Sequence, residues 1–160
     1  MAKTVYIETS VIGAYASTRE DTSSAYRREV TRRWWSQQRG NYDVCTSAAT
    51  LAELQAGSYP SQAQALDLVA PLPALDVNDE VLAVAELYVR HKLMPEPASG
   101  DALHLAVASV NEIDYLLTWN IRHLANPNKI EHMVVINRRL GLLCPEIVTP
   151  EALWLEEEPL

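Results

Sequence analysis

The chain has few glycines, and none of its five stands close enough to another to form a phosphate-cradling loop or a dinucleotide fingerprint. Both devices need glycines a few residues apart, where backbone must approach a phosphate. Cysteine is equally scarce: Cys45 and Cys144 lie far apart, each in an apolar or strand-like setting. Without the pair spacing of a metal knuckle, they are expected to be reduced, buried thiols. His91, His104, His123 and His132 show no ligand pairing, which argues against zinc. No apolar run approaches the roughly 20 residues needed to cross a bilayer. The start, MAKTVYIE, lacks the apolar stretch and small-residue cleavage site of a secretory leader. A cytoplasmic protein with no membrane association is expected. Positive charge is also short, with 13 Lys+Arg against 21 Asp+Glu and a net charge of −8. That balance opposes a broadly phosphate-binding surface.

What remains is an ordinary globular composition, 48% apolar and 21% charged over 160 residues. This is enough chain to bury a sizeable core and fits a single domain over 1–160, closing on an acidic tail at about 151–160. The net charge conceals a local reversal. Arg27, Arg28, Arg32, Arg33 and Arg39 fall within one short stretch that also holds Trp34 and Trp35. Such a patch can hold an RNA backbone and stack a base, or serve a protein partner; a solvated basic face is the alternative. Adjacent tryptophans on a helix cannot share one face, so one is expected buried and the other partly exposed.

Along the chain, β-branched and aromatic residues over 5–7 read as a buried strand, followed by a helix from Ser10. The polar segment 19–24 reads as a loop, with Ser23 or Ser24 capping a helix over 25–39 that Gly40 and Asn41 end. A strand over 42–46 leads to a helix capped by Ser47 and stopped by Gly57, then a helix over 62–69. A short strand at 75–77 precedes a helix begun by Asn78 or Asp79 and continued by helical apolar spacing to Tyr88. After the loop 95–100 come an apolar helix over 101–110 and a strand over 114–118. The region 129–140 reads as a helix, or as an irregular helix with a short strand around 134–136, and 146–149 as the last strand. Pro150 and Glu151 suit the start of a further helix. Strands alternating with helices predict an α/β fold with a mostly parallel sheet, whose ligand sites form beyond the carboxyl ends of the strands.

Four chemically expressive residues fall at such ends. Glu8 follows the first strand, Glu53 lies in an apolar helix after the second, Asp101 opens an apolar helix, and Asn120 directly follows the strand over 114–118. Each has a structural alternative: an edge or cap residue at Glu8, a solvated position at Glu53, a helix-dipole partner at Asp101, a turn residue at Asn120. If the strand ends converge, the acids repel one another, at a cost on the order of 4 kcal/mol for a pair about 4 Å apart in an effective dielectric near 20. A cation relieves that repulsion. Hard oxygen donors suit Mg²⁺ or Mn²⁺, which can activate water and stabilise a leaving oxygen in phosphodiester hydrolysis. His104, three residues after Asp101, is expected to be a buried, satisfied histidine, with orientation of a carboxylate as the other option. Arg122 and His123 follow Asn120 and can contact a phosphate or simply face solvent.

The segments YIETS, LAELQAG, GDALHLAVA and LLTWN, in this order, resemble the PIN-domain family, and the ending CPEIVTPEAL is similar to its VapC-like subgroup. The resemblance runs over nearly the whole chain. It implies a three-layer α/β/α fold with a central, mostly parallel sheet. It further implies a Mg²⁺- or Mn²⁺-dependent endoribonuclease acting on RNA, often the toxin of a type II toxin–antitoxin pair and commonly a homodimer. On that pattern Glu8, Glu53 and Asp101 take the places of the three metal-holding acids, and Asn120 stands where many members have a fourth acid. Ser10 matches the hydroxyl two places after the first acid, and Arg27, Arg28 and Arg122 become candidates for substrate contact. Two departures stand out. Glu8 is a methylene longer than the usual Asp, and Asn120 removes a negative charge, so the set fits one well-held metal better than two. A non-catalytic binding module for RNA or protein, with a weakened metal site, is the alternative function. A phosphotransfer receiver shares the fold class, but this sequence shows neither its paired acids after the first strand nor its lysine after the last.

Overall fold

The computed structural model describes residues 2–156. Its centre is β1 (Thr4–Ile7), flanked by β2 (Asp43–Ser47) and β4 (Tyr115–Leu117), with β3 (Ala74–Leu75) and β5 (Glu146–Val148) at the edges. All five strands run parallel in the order β3-β2-β1-β4-β5. Pairing brings Tyr6 opposite Cys45 on one side and Leu116 on the other.

A parallel strand buried on both faces needs apolar residues at every position, and period two then deals them alternately to two cores. Val5 and Ile7 face one cluster with Val11, Ile12, Trp34, Leu54 and Leu117. Tyr6 faces the other, with Tyr88, Leu105, Leu116 and Met133. The first layer holds α1 (Thr9–Ala16), α2 (Thr22–Gln37), α3 (Ala48–Gln55) and α4 (Gln62–Val69). The opposite layer is led by α5 (Asp79–Arg90), α6 (Asp101–Val110) and α7 (Ile130–Arg139). This is the expected three-layer α/β/α sandwich.

The winding explains the two layers. From β1 the chain steps outward through β2 to β3, then crosses back to β4 and outward to β5. Parallel crossovers keep one hand, so reversing direction moves the connecting helices to the other face. The reversal occurs between β1 and β4. There the connections leave in opposite directions and a crevice opens at the carboxyl ends.

Several local expectations are revised. The N-cap of α2 is Asp21, whose carboxylate accepts from Ser24 N at 3.1 Å, so the helix starts at Thr22 and neither Ser23 nor Ser24 caps it. An Asp three residues before a free amide satisfies it directly. The C-cap of α2 is Gln38, and a single 3-10 turn over Arg39–Asn41 follows. The third strand is Ala74–Leu75, one residue earlier than expected. Residues 134–136 are helical, because Met133, Ile136 and Asn137 are buried at helical spacing. Among the described residues no helix follows Pro150: Ala152 N and Leu153 N both bond Thr149 O, making a turn that returns Leu153 to the core. Trp34 is fully buried and Trp35 half-buried, as the helix geometry requires. Cys45 and Cys144 are unpaired and half-buried rather than buried, with burial pushing the Cys45 thiol up to about 11. The expected acidic tail runs beyond the described residues from 157 onward. No helix among the described residues is long and apolar enough to cross a membrane.

Candidate active site

The carboxyl ends of β1 and β4 meet at the switch point, and their first residues past the ladder build the site. Glu8 extends the pairing by one rung, donating its N–H to Leu117 O at 3.1 Å. Its carboxylate Oε2 accepts from Ser10 N at 2.7 Å and from the Thr118 hydroxyl at 3.1 Å. Glu8 is thus the N-cap of α1, the structural role open to it in the sequence, and a buried acid at the site as well.

The same hydroxyls bind the opposite strand end. Ser10 Oγ accepts from Trp119 N at 2.8 Å and lies 3.2 Å from Thr118 Oγ1. Thr118 Oγ1 accepts from Asn120 N at 2.9 Å, turning the chain so that the Asn120 side chain reaches Asp101. Asn120 Nδ2 donates to Asp101 Oδ1 at 2.9 Å, and Asn120 Oδ1 accepts from His123 N at 3.1 Å. A continuous chain of hydrogen bonds therefore links Glu8, Thr118, Asn120 and Asp101.

Glu53 enters from α3 through a different partner. His104, on α6 and almost wholly buried, bonds Glu53 Oε1 through Nε2. Its Nδ1 lies 2.6 Å from Tyr6 Oη, which in turn lies 2.7 Å from Ser47 Oγ. Both outcomes weighed for His104 hold together: it is satisfied in the core and it orients a carboxylate. Tyr6 points from the central strand to the base of this relay. Sequence reading missed it, because a tyrosine in a buried strand carries no signal beyond its phenol needing a partner.

Burial pushes the Glu8 carboxyl above its ordinary value; the positive field of His104 and the bonds from Ser10 offset this only in part. Burial pulls His104 down, but the Glu53 hydrogen bond and the charges of Glu8, Glu53 and Asp101 outweigh it and leave its affinity for a proton raised. The acids thus raise the proton affinity of His104, while burial of Glu8 is offset only in part.

In each acid one oxygen is engaged, Oε2 in Glu8, Oε1 in Glu53 and Oδ1 in Asp101; the second accepts no hydrogen bond from the described side chains or backbone. Those free oxygens are the hard donors that a divalent ion requires. Among the described residues, no three His, Cys, Asp or Glu side chains already stand together as a cage. Mg²⁺ needs no such cage, since it keeps several waters and takes one or two carboxylates plus substrate phosphates. The chemistry of this donor set, rather than an assembled cage, is what fits a hydrated ion.

The candidate substrate residues divide. Arg27 stacks 5.3 Å over the Trp119 ring and lines a cavity of about 240 Å³ with Ser10, Ser17 and Arg19, directly beside the site. Arg28 instead donates to Ser17 O at 3.0 Å and Arg19 O at 2.8 Å, bracing the loop after α1. Arg32 is similarly occupied, donating to Tyr15 O at 3.0 Å. Arg122 is exposed on the turn after Asn120. Thr118 and Trp119 were further omissions, although their position between the last strand residue and Asn120 was the available signal.

A family model described as PIN domain matches residues 5–129. No curated protein matches the sequence. Among solved structures, the chain is similar to Mycobacterium tuberculosis VapC20, described as a sarcin-ricin loop cleaving toxin, at 19% identity and a TM-score of 0.56, over 74% of this chain and 92% of that one. It is similar to FitAcB from Neisseria gonorrhoeae at 15% identity and TM-score 0.56, covering 93% and 99%. It is also similar to VapBC2 from Rickettsia felis bound to a promoter DNA fragment, at 17% identity and TM-score 0.52, covering 91% and 98%.

Proposed function

The chain belongs to the PIN-domain family, and from that premise we propose that it is a Mg²⁺- or Mn²⁺-dependent endoribonuclease, the toxin of a type II toxin–antitoxin pair. The observation that carries the reading is the hydrogen-bonded chain Glu8–Thr118–Asn120–Asp101 at the switch point, with a free oxygen left on each acid. The resemblance of fold to solved toxin structures supports the biological role. A homodimer and an antitoxin protein are the partners this reading expects.

Glu8, Asp101 and Glu53 would hold the ion, with Asn120 fixing Asp101. When bound, the ion lowers the pKa of a coordinated water and offsets charge gathering on the phosphate. The protein's own part is positional. Ser10 and Thr118 lock Glu8 against the end of β4, and His104 holds Glu53. Arg27, beside Ser10 and Trp119, meets the phosphate backbone of an exposed RNA strand, and Arg122 does so from the turn after Asn120. Arg28 contributes by bracing the loop that carries Arg19.

One observation favours a second reading, a non-catalytic RNA- or protein-binding module. Asn120 is neutral and spends its amide on Asp101, which reduces the pull on a cation. Metal binding separates the two. Titration with Mn²⁺ is expected to show saturable binding that Asp101→Asn abolishes at unchanged melting temperature. No binding of Mg²⁺ or Mn²⁺ at millimolar concentration would select the module.

A further inference from the structure

On the other face of the sheet from Arg27, the structure carries another basic cavity. It has a volume of about 550 Å³ and is bordered by Arg90, Lys92, Glu96, His123 and Lys129 over a floor of Leu93 and Met94. Three permanent cations face one carboxylate there, in a chain whose net charge is −8. The concentration is local and runs against the background. Lys129 is fixed, its Nζ donating to Leu93 O at 3.0 Å and lying 3.4 Å from His123 Nδ1. His123 in turn bonds Asn120 through its backbone, so the cavity wall is joined to the acid site. Leu93 and Leu124 belong to the core of α5 and α6, whereas Trp119 under Arg27 belongs to the core of α1 and α2.

Lys92 stands at the rim of the same cavity. It occupies the left-handed position that ends α5, at φ 60, with Leu93 N closing back on Tyr88 O at 2.9 Å. Glycine takes this position without strain. The chain carries a lysine here, as it carries Glu112 at the matching position after α6, and the exposed Lys92 charge extends the basic lining of the cavity.

We propose that this cavity is a second phosphate subsite, gripping the RNA strand on the far side of the acids from Arg27. The inference rests on the nuclease reading. An RNA strand laid across Glu8 and Asp101 meets repulsion at the centre and needs cations on both flanks to stay seated. The Arg27 cavity supplies one flank, and Arg90, Lys92 and Lys129 supply the other.

The test is fluorescence anisotropy of a labelled single-stranded RNA about a dozen nucleotides long, with chelator present so that nothing is cleaved. Four variants are compared: Arg90→Gln, Lys92→Gly, the two combined, and Glu96→Gln. Lys92→Gly suits its backbone angle, and Glu96→Gln keeps the shape of the side chain, so neither depends on tolerance of a misfit. Each phosphate contact on a single strand releases about 0.7 counterion, so each lost cation weakens binding roughly fivefold at about 0.1 M salt. The Arg90→Gln, Lys92→Gly double variant is expected to bind roughly 25-fold more weakly, with a salt slope shallower by about 1.4. Glu96→Gln is expected to tighten binding. Unchanged affinity and slope in all four, with metal-dependent cleavage by the unmodified protein intact, would overturn the subsite and leave the nuclease standing. An unmodified protein that neither binds nor cleaves RNA would overturn both.

Discussion

Replacing His104 isolates the role of the Tyr6–His104–Glu53 relay. The imidazole is almost wholly buried and bonded at both nitrogens, to Tyr6 Oη at 2.6 Å and to Glu53. Tyr6 keeps Ser47 at 2.7 Å when the ring is lost, so it is not orphaned. The Glu53 side chain is 42% exposed and turns to water, which discounts the ionic part of the bond. A hydrogen bond to a charged group contributes roughly 1.5–3 kcal/mol, and the discount leaves about 1–2 kcal/mol for the Glu53 arm. In a chain of this size that is a fall of roughly 2–8 °C in melting temperature. The functional effect is separable through two amides. Asn at 104 reaches toward Tyr6 but falls short of Glu53, whereas Gln reaches toward Glu53. Loss of a group that orients a metal ligand typically costs about 10–100-fold in affinity. Mn²⁺ titration followed by electron paramagnetic resonance is therefore expected to show at least about tenfold weaker binding in His104→Asn and near-original binding in His104→Gln. Equal Mn²⁺ affinity in both variants and the unmodified protein would refute the claim that His104 sets Glu53 for metal.

Three further outcomes are expected. Glu8 and His104 both hold their protons more tightly folded than unfolded, Glu8 through burial and His104 through Glu53 and the neighbouring acids against burial. Their stabilisation is thus complete below the ordinary values of 4.5 and 6.5 and is lost as pH rises through the folded ones. Metal-free protein should melt lower at about pH 8 than at about pH 6, and Mn²⁺ should recover more at the higher pH; the opposite slope in calorimetry would contradict the assignment. Asn120→Asp replaces the donor to Asp101 with a like charge, so it should lower the melting temperature without metal and raise Mn²⁺ stoichiometry from one toward two, read by calorimetric titration. Arg27→Gln should weaken binding of single-stranded RNA roughly fivefold at about 0.1 M salt, whereas Arg33→Gln, stacked on Trp154, should leave it unchanged in the same anisotropy assay.

The fold was largely legible because each strand is a short apolar run and each helix has its own periodicity. Val5, Tyr6 and Ile7 read as buried on both sides, and Ser47 and Asn78 announced their helices as caps. What misled was local chemistry with two solutions. Ser23 and Ser24 are as good a pair of caps as Asp21, and only the chain's path chose the carboxylate. Pro150 suits a helix start, but Leu153 is drawn into the core within a turn. The β-branched pair at 134–135 suggested a strand, and burial of Met133 and Ile136 at helical spacing overrode it. At the site, Glu8, Asp101 and Asn120 were readable as polar residues at strand and helix ends. Their linkage was not, since it depends on Thr118 and Ser10 meeting across 108 residues of chain. Arg27 and Arg28 are adjacent in sequence and indistinguishable there. One helical step separates a residue that faces the site from one that ties down a loop.

The most direct test of the central claim is cleavage of a mixed single-stranded RNA pool by the purified protein, run with Mg²⁺, with Mn²⁺ and with chelator, beside Asp101→Asn. The account predicts cleavage with either ion, none with chelator, and none by the folded variant. Cleavage that persists in chelator or in Asp101→Asn, with contaminating nuclease excluded, would contradict it.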